Sequence, residues 1–247
     1  MWNNKTISVV MATYREKESV RRVVEEFAGL EAVDEIVVVN NNAEAGTDEE
    51  LARIDSPKLI VLRERKQGYG YALEKGLLVA KGDYIVTAEP DGTYAARDLK
   101  RFLVMAEDFQ AVLGSRAIVR TKNKDWGFFR RHANIVQGLM ISFLFHTNTI
   151  TDLGCLYRLF HKEVIRDLKS KWSTRRLFAT DLLILVVKER FSFAEIPVTF
   201  QERTGESSML GNGFKLFQYG WDGLVFIFEK WTTWFIKKIF LKSKNNV

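Results

Sequence analysis

The sequence predicts an α/β protein built on a mainly parallel sheet with helices on both faces. Two observations support this fold class. Short runs of apolar, often β-branched residues recur through the first half of the 247-residue chain. Between several of these runs, apolar residues recur at the three- and four-residue spacing of an amphipathic helix. Strands that alternate with helices form parallel sheets, and right-handed crossovers place the loops after the strands along one edge.

The elements can be predicted in order along the chain. Five strands are predicted at residues 7–12, 36–39, 59–62, 84–88 and 111–113. After the first strand, an amphipathic helix is predicted from Val20, Val23, Val24 and Phe27. Further helical patterns occur at residues 69–80, 99–106, 134–145 and 180–189. Residues 194–200 contain Pro197, which cannot donate a ladder hydrogen bond, so they are predicted to form an edge strand.

The chain is predicted to form one domain at residues 1–210, followed by an amphipathic helical tail at residues 211–247. The sequence has only three prolines and no Ser/Gly-rich tract, so no linker is expected within the domain. The longest nearly uncharged stretch, residues 133–145, is shorter than the ~20 residues that a membrane-spanning helix needs. The first residues lack the apolar core of a signal peptide, so we expect the protein to stay in the cytoplasm.

The composition restricts the classes of function. A formal net charge of +6 favours an anionic partner, which the charge alone leaves open as nucleotide phosphates, a phospholipid surface or nucleic acid. No recognisable nucleic-acid-binding module accompanies the charge, so no nucleic-acid partner is expected. The single cysteine, Cys155, excludes an internal disulfide, and the three histidines lack the spacing of a zinc site.

Two carboxylates follow the fourth predicted strand in the sequence Glu89-Pro90-Asp91-Gly92. Proline and glycine end the strand, so both acids lie at its carboxyl end, where open α/β sheets bind their ligands. Mg²⁺ prefers hard oxygen ligands and typically takes one or two carboxylates, then water and phosphate oxygens. The residues therefore indicate a metal–diphosphate site. The alternative is a solvated acidic turn with Asp91-Gly92 as its turn residues.

This stretch resembles the acid-x-acid element of family 2 glycosyltransferases of the GT-A fold, including the dolichol-phosphate mannosyltransferase group. That element is usually Asp-x-Asp, so Glu89 departs from it by one methylene. The resemblance covers about residues 5–210 as an ordered series of individually weak motifs. It implies a GT-A (Rossmann-like) sheet, a nucleotide-sugar donor, and a Mg²⁺ or Mn²⁺ ion held by Asp91 and Glu89.

The loop after the first strand resembles the family's Pro-Thr-Tyr-Asn-Glu entry loop, which holds the nucleotide base. The resemblance implies donor contacts from Ala12, Thr13, Tyr14 and Glu16. The same residues also fit a helix capping box, in which Thr13 is the N-cap and Glu16 follows three positions later. The two roles do not exclude each other.

Two further segments resemble nucleotide-binding loops. The family usually carries Asp-Asp after the second strand, and the first acid contacts the base. This chain has Asn40 and Asn41, which keep hydrogen-bonding capacity without charge and leave the identity of the base open. Gly68 and Gly70 resemble a Gly-x-Gly-x-Ala turn that lets the backbone approach the nucleotide; two glycines alone more often mark a helix entry.

The resemblance also places arginines near the phosphates. Arg116 ends a Gly-Ser-Arg match whose arginine faces the phosphate region. Arg203 and Ser207 resemble a loop that closes over the diphosphate. Trp126 and Arg131 resemble a Trp and Arg-x-x-Asn segment, so Arg131 is expected to position an acceptor phosphate together with Arg116.

Asp181 is similar to an acidic position of the family that would serve as base if the acceptor were a sugar hydroxyl. It fits equally well a helix-start acid that is favoured by the helix dipole. A phosphate acceptor is already anionic and needs no strong base.

Residues 152–158 keep the Asp-to-Arg spacing of another family turn, from Asp152 to Arg158.

The tail is rich in aromatic residues and lysines, among them Trp221, Trp231, Trp234, Lys237 and Lys238. Such a helix is typical of a membrane interface with anionic lipid; the alternative is a helix docked on the domain or on a second subunit of a homo-oligomer.

The sequence thus predicts a metal-dependent glycosyltransferase, peripheral on the inner membrane face, that moves a sugar from a UDP- or GDP-sugar to polyprenyl phosphate. The resemblance implies inversion at the anomeric carbon. A transferase acting on a glycan hydroxyl and a catalytically silent nucleotide-sugar binder are the alternatives.

Overall fold

The structure is a computed structural model that describes residues 1–118, 127–173, 176–204 and 213–244. Within these residues, seven strands form one sheet in the order β3-β2-β1-β4-β6-β5-β7. The strands are β1 (Ile7–Thr13), β2 (Glu35–Asn40), β3 (Leu59–Arg63), β4 (Tyr84–Thr87), β5 (Ala111–Ser115), β6 (Arg158–His161) and β7 (Phe193–Pro197). β6 is antiparallel to β4 and β5, and the remaining pairs are parallel.

The predicted mainly parallel α/β fold is confirmed, and all five apolar runs form strands. β7 lies at the end of the sheet order, as its proline predicted. The sequence reasoning missed β6, which begins with a charged residue, Arg158. The structure shows how the sheet accepts this charge: the guanidinium donates to the backbone oxygens of Leu153, Cys155 and Ala179 at 2.6–2.8 Å. Because these three hydrogen bonds satisfy the buried guanidinium, a charged residue can occupy a position in a central strand.

Helices connect the strands and cover the sheet. They are α1 (Lys17–Ala28), α2 (Thr47–Ala52), α3 (Tyr69–Val79), α4 (Leu99–Met105), α5 (Phe128–Phe145), α6 (Lys162–Leu168), α7 (Phe178–Lys188) and α8 (Gly213–Lys244). A short 3₁₀ turn at Ala96–Asp98 precedes α4. The apolar stripe predicted for α1 is buried along its full length.

Two apolar clusters form the core, one on each face of the sheet. α1 and α4 bury Phe27 and Phe102 in the first cluster, and α3, α6 and α7 bury their apolar residues in the second. Gly76 brings α3 close to β1, because a Cβ at this position would lie 2.3 Å from Cγ1 of Val10. The helices thus hold the sheet between two dry layers and leave the loops at its edges free to form a site.

One side of α8 belongs to the second cluster. Ile227 is fully buried, and Trp231 and Trp234 pack beside it, with the Trp234 ring 5.4 Å from Phe145 of α5. Burying an isoleucine stabilises a protein by about 1.5–3 kcal/mol. α8 is therefore docked on the domain along one side and exposed along the other. Among the described helices, none has the combination of length and apolarity needed to cross a bilayer.

Candidate active site

A cavity of about 920 Å³ lies at the carboxyl ends of the parallel strands. Its strand-end wall includes Ala12, Thr13, Tyr14, Glu16, Asn41, Glu89 and Arg116. Its helical wall includes Arg130, Asn134, Gln137, Arg176, Trp221 and Leu224. The volume lies within the range of small-molecule and cofactor sites. The edge predicted to bind the nucleotide is therefore concave, and α5 and α8 complete it.

The acid turn at the end of β4 is held by hydrogen bonds, and Pro90, Asp91 and Gly92 in it are buried. Gly92 has φ +77°, a conformation that glycine adopts without strain, and Ser19 Oγ donates to the Pro90 carbonyl at 2.7 Å. Oδ1 of Asp91 accepts hydrogen bonds from N and Oγ1 of Thr93 at 3.0 and 2.7 Å. Only 2% of Asp91 is exposed, so this is not the solvated acidic turn of the alternative interpretation.

Glu89 lines the cavity and is half-buried. Burial raises the pKa of its carboxyl to about 8, and the charge of Asp91 acts in the same direction. The charges of Arg203, Arg116 and Arg130 oppose this rise. A cation placed between the two acids would favour the ionised form of Glu89.

Arg203 joins two parts of the strand-end wall. Its Nη1 donates to Oδ2 of Asp91 and its Nη2 to Oε1 of Glu16, both at 2.8 Å. The three side chains are largely withdrawn from solvent, which strengthens their interaction. The arginine expected at the diphosphate therefore lies beside the acid turn. Ser207, its expected companion, lies outside the described residues, as does Trp126.

The entry loop does not form the capping box that the sequence also allowed. Thr13 is still part of β1, and Glu16 itself occupies the N-cap position of α1, without a side-chain cap bond. Instead, Oε2 of Glu16 accepts hydrogen bonds from the backbone N–H groups of Tyr14 and Arg15 at 2.7 and 2.9 Å. The capping-box prediction was wrong because β1 extends to Thr13 and the helix starts later.

Asn41 organises the next loop. Its Nδ2 donates to the carbonyls of Glu64 and Lys66, and its Oδ1 accepts from the Gly68 N–H at 2.8 Å. Gly68 has φ +138°, which explains the glycine, and Gly70 is buried in the first turn of α3. The amide of Asn41 is thus used to join loops, although its side chain borders the cavity.

Asn40 is the residue at the position where the family's acid contacts the base. Its Nδ2 donates to Oδ1 of Asp48 at 2.7 Å, and its Oδ1 accepts from the Ala43 N–H at 2.8 Å. It is buried, and the cavity lining includes its neighbour Asn41. One amide hydrogen of Asn40 is left over from these two bonds, so its capacity to bind a base is small.

Arg116 borders the cavity with a guanidinium that is already paired. Nε and Nη2 donate to the two oxygens of Asp152 at 2.7 and 2.8 Å, and the backbone N–H adds a third bond at 2.9 Å. The guanidinium also lies 5.2 Å from the centre of the Phe200 ring. Asp152 and Arg158, expected together in one family turn, bind different partners. Arg116 therefore braces the cavity wall and presents only part of its charge to a ligand.

The helical wall contains site residues that the sequence reasoning missed. Arg130 of α5 lines the cavity, together with Asn134 and Gln137, and Arg131 is its half-buried neighbour. The available signal was helical phase, because positions 130, 134 and 137 share one face of a helix. Arg176, just before α7, also lines this wall.

Asp181 is fully buried at the junction of α7 and α8. Its Oδ2 accepts from N and Oγ of Ser173 at 2.7 and 2.9 Å, and its Oδ1 lies 2.7 Å from Nζ of Lys230. The cavity lining includes the preceding residues Ala179 and Thr180. The structure therefore places Asp181 behind the wall, where it ties α8 to the domain.

Glu89 and Asp91 supply the carboxylate donors that Mg²⁺ or Mn²⁺ would need. Within the described part of the chain, no group of three or more acidic, histidine or cysteine side chains is arranged to hold a metal. Two carboxylates nevertheless fit a cation that completes its shell with diphosphate oxygens and water. The donor set thus fits a metal that binds together with a nucleotide.

The comparisons with known proteins agree with this geometry. The model of the family "Glycosyl transferase family 2" matches residues 8–169, so the chain belongs to this family of glycosyltransferases. Dolichyl-phosphate hexose transferase of Haloferax volcanii is 28% identical over 209 residues, covering 82% of this chain and 86% of the relative. Polyprenol monophosphomannose synthase of Mycolicibacterium smegmatis is 28% identical over 231 residues, covering 87% of each chain.

A solved structure supports the fold. Glucosyl-3-phosphoglycerate synthase from Mycobacterium tuberculosis, in complex with Mn²⁺, UDP-glucose and phosphoglyceric acid, matches with a TM-score of 0.69. The match covers 93% of this chain and 80% of that chain at 14% identity. At this identity the likeness concerns the fold alone, and it confirms the predicted GT-A fold.

Proposed function

We propose that this glycosyltransferase moves a hexose from a UDP- or GDP-sugar to a polyprenyl phosphate, with Mg²⁺ or Mn²⁺ bound at the donor diphosphate. The observation that carries the proposal is the composition of the helical wall. Arg130 and Arg176 line the same cavity as the acid turn, and Arg176 also forms an ion pair with Asp222 of α8. The exposed side chains of Phe217 and Trp221 line this cavity too. Cations beside apolar surface fit an acceptor with a phosphate head and a hydrocarbon chain.

On the donor side, Glu89 and Asp91 would hold the ion against the diphosphate. When bound, such an ion neutralises the charge that develops on the leaving nucleoside diphosphate. Arg203 lies beside the acid turn and can add a bidentate contact to phosphate oxygens. Glu16, which also binds Arg203, would keep the guanidinium oriented toward the cavity.

On the acceptor side, the reaction requires positioning more than proton transfer. An oxygen of the acceptor phosphate forms a bond to the anomeric carbon, and the bond from that carbon to the donor diphosphate breaks. The electron pair leaves with the nucleoside diphosphate, and no proton has to be removed from the anionic acceptor. A single displacement inverts the anomeric carbon. Arg130 is best placed to orient the acceptor phosphate, supported by Arg131 and Arg116.

The position of Asp181 favours this acceptor over a sugar hydroxyl. A hydroxyl acceptor would need a base in the cavity. Asp181, the expected base, is instead engaged by Ser173 and Lys230. A phosphate acceptor has no such requirement, so the arrangement is chemically sufficient for lipid phosphate. The two relatives named above carry dolichyl-phosphate and polyprenol in their names, which supports the same choice.

The exposed sides of α5 and α8 would bring the enzyme to its lipid. We define the apolar face as the exposed residues Val136, Leu139 and Phe143 of α5 with Trp221, Val225, Phe228, Phe235 and Ile239 of α8. The α8 members follow one another at intervals of four, three, seven and four residues, so they lie on one side of the helix and form one stripe. An apolar stripe on a helix that also carries lysines fits the surface of an anionic membrane. We place the protein on the cytoplasmic face of the membrane, as a peripheral protein.

A donor panel tests the proposal. UDP- and GDP-hexoses would be incubated with and without polyprenyl phosphate and Mn²⁺, and released nucleoside diphosphate would be measured. The proposal predicts release that depends on both lipid phosphate and metal for at least one donor. A silent nucleotide-sugar binder would bind a donor without releasing nucleoside diphosphate with any acceptor. A glycan transferase would require a sugar hydroxyl instead of lipid phosphate.

A further inference from the structure

A second, smaller cavity of about 350 Å³ lies at the other end of α7. The first turn of α7 borders the candidate active site, and Lys188 in its last turn borders this second cavity. An 11-residue helix is about 16 Å long, so the two cavities are separate. α8 also passes both, with Trp221 at the first and Trp234 and Lys238 at the second.

The second cavity is strongly basic. It is lined by Lys188, Arg190 and Lys238, with His146 beside them, and we call these four residues the basic pocket. Among the residues that the structure describes around it, none of the lining side chains is acidic. The neighbouring Glu189 is turned toward Lys171, at 2.7 Å. The positive charge of the pocket is therefore not neutralised by its own walls.

The cations of the basic pocket have few internal partners. Within the described residues, the side chains of Lys188 and Arg190 make no hydrogen bond or ion pair, and Nζ of Lys238 lies 4.7 Å from the centre of the Trp234 ring. Burial lowers the pKa of Lys188 and the positive charges of Lys230 and Lys237 lower it further, while the negative charges of Glu189 and Asp181 oppose this change. A bound anion would relieve this repulsion.

Helix ends offer a simpler explanation for these cations, but they account for only part of the charge. α5 ends at Phe145 and α7 at Lys188, so both C-termini face this region. Each helix C-terminus carries roughly half a negative charge, or about one unit together. Lys188, Arg190 and Lys238 supply three positive charges when all three are protonated. About two positive charges are left for an external anion.

We propose that the basic pocket binds a phosphate group outside the active site. Phosphate matches several convergent cations, and the Trp234 ring offers an apolar wall next to them. Phe143, Phe235 and Ile239 of the apolar face lie within a few residues of the pocket in sequence, which favours the headgroup of an anionic phospholipid as the source. Free phosphate is the other source. The lipid source rests on the proposed membrane face; the anion site does not.

The test compares two double variants of the full-length protein. R190Q/K238Q removes two exposed cations of the basic pocket. R97Q/K100Q removes two exposed cations near α4, on the opposite face of the sheet, and is the matched control. Each protein is sedimented with phosphatidylcholine vesicles that contain or lack phosphatidic acid, and titrated with inorganic phosphate by calorimetry. Thermal unfolding verifies that both variants fold.

For a lipid headgroup, we expect R190Q/K238Q to bind acidic vesicles about 10- to 30-fold more weakly and the control to lose less than about threefold, since each basic residue contributes about fivefold near the surface. If inorganic phosphate binds the intact protein and the control but not R190Q/K238Q, while vesicle binding is equal in all three, free phosphate is the ligand. Equal losses in both variants, or no loss in either assay, would overturn the proposal. No sugar donor is present, so failure of glycosyl transfer does not affect the result.

Discussion

Nη1 of Arg203 donates to Oδ2 of Asp91 at 2.8 Å, so the arginine expected to bind diphosphate and the carboxylate expected to bind metal are direct partners. A divalent cation at Asp91 would compete with Arg203 for the same oxygen. Exchange of one cation for the other would release the guanidinium toward the donor phosphates. Metal binding and diphosphate binding would then be coupled through a single side chain.

The first prediction follows from this contact. In R203A, Mn²⁺ should bind more tightly without nucleotide, because a competing cation is gone, as measured by electron paramagnetic resonance titration. Nucleoside diphosphate should bind about 10- to 100-fold more weakly, since a charged hydrogen bond contributes roughly 1.5–3 kcal/mol. R22A is the control, because Arg22 is an exposed arginine that lies near the same turn and pairs with Glu26 instead of Asp91. Weaker Mn²⁺ binding in R203A would contradict the exchange.

The second prediction concerns pH. Burial raises the pKa of Glu89 to about 8 in the folded protein, compared with 4.5 as its ordinary value. The folded state therefore binds this proton more tightly, and the stability that it contributes is full below about pH 4.5 and lost as pH rises through about 8. Mn²⁺ affinity should change in the opposite direction, because the metal needs the ionised carboxylate.

Thermal unfolding and Mn²⁺ titration across this pH interval measure both effects. E89Q carries no titratable proton here, so its unfolding temperature and its weaker Mn²⁺ affinity should change less with pH than those of the intact protein. The same pH dependence in E89Q would assign the effect to another group.

The third prediction separates a structural role from a catalytic one. D181N and K230M should each destabilise the protein by about 3 kcal/mol, since each leaves one member of a mostly buried ion pair without its partner. Turnover with polyprenyl phosphate should stay within a few-fold of the intact enzyme in the folded fraction. Chemical denaturation and initial rates supply the two measurements. A loss of more than about 100-fold in kcat with unchanged stability would restore Asp181 as a catalytic base.

The fourth prediction concerns the apolar face. F228Q/F235Q changes two exposed residues of α8 and should reduce binding to acidic vesicles with little change in unfolding temperature. I227A is the matched core variant: it should lose about 2–4 kcal/mol of stability, because Ile227 is fully buried, yet the folded fraction should still bind vesicles. Raised salt should weaken this binding without abolishing it, because the apolar contribution is not screened.

A different result would redirect the interpretation of this face. If the intact chain ignores vesicles and forms a dimer that F228Q/F235Q dissociates, a second copy of the chain covers the apolar face. Sedimentation velocity in the absence of lipid distinguishes the two outcomes.

The strands and most helices could be predicted because their signals are local. Apolar runs and helical stripes extend over a few residues, and both clusters of the core follow from them. β6 lacked such a signal, since Arg158 is buried only because carbonyls from three separate positions converge on it. Arg131 was predicted to bind the acceptor phosphate, but its neighbour Arg130 lines the cavity. The two side chains point in different directions because one position along an α-helix rotates the side chain by about 100° around the axis.

The acid turn could be located from sequence, but the partners of the site residues could not. Arg116 is paired with Asp152, and Asp181 with Lys230, through contacts between distant segments of the chain. The hydrogen-bond partners of Asn41 could not be predicted either, because they come from the loop before α3. Residue type and spacing predict which groups can do chemistry, and only the packed structure shows which groups are already used.

The most direct test of the central claim is transfer of labelled hexose from UDP- or GDP-hexose into the organic phase with polyprenyl phosphate as acceptor. The intact enzyme should form a labelled glycolipid in the presence of Mg²⁺ or Mn²⁺ and form almost none with chelator. D91N keeps the size of the side chain and should be inactive with metal present. Full transfer by D91N or in chelator, or transfer to a sugar hydroxyl but not to polyprenyl phosphate, would contradict the proposed function.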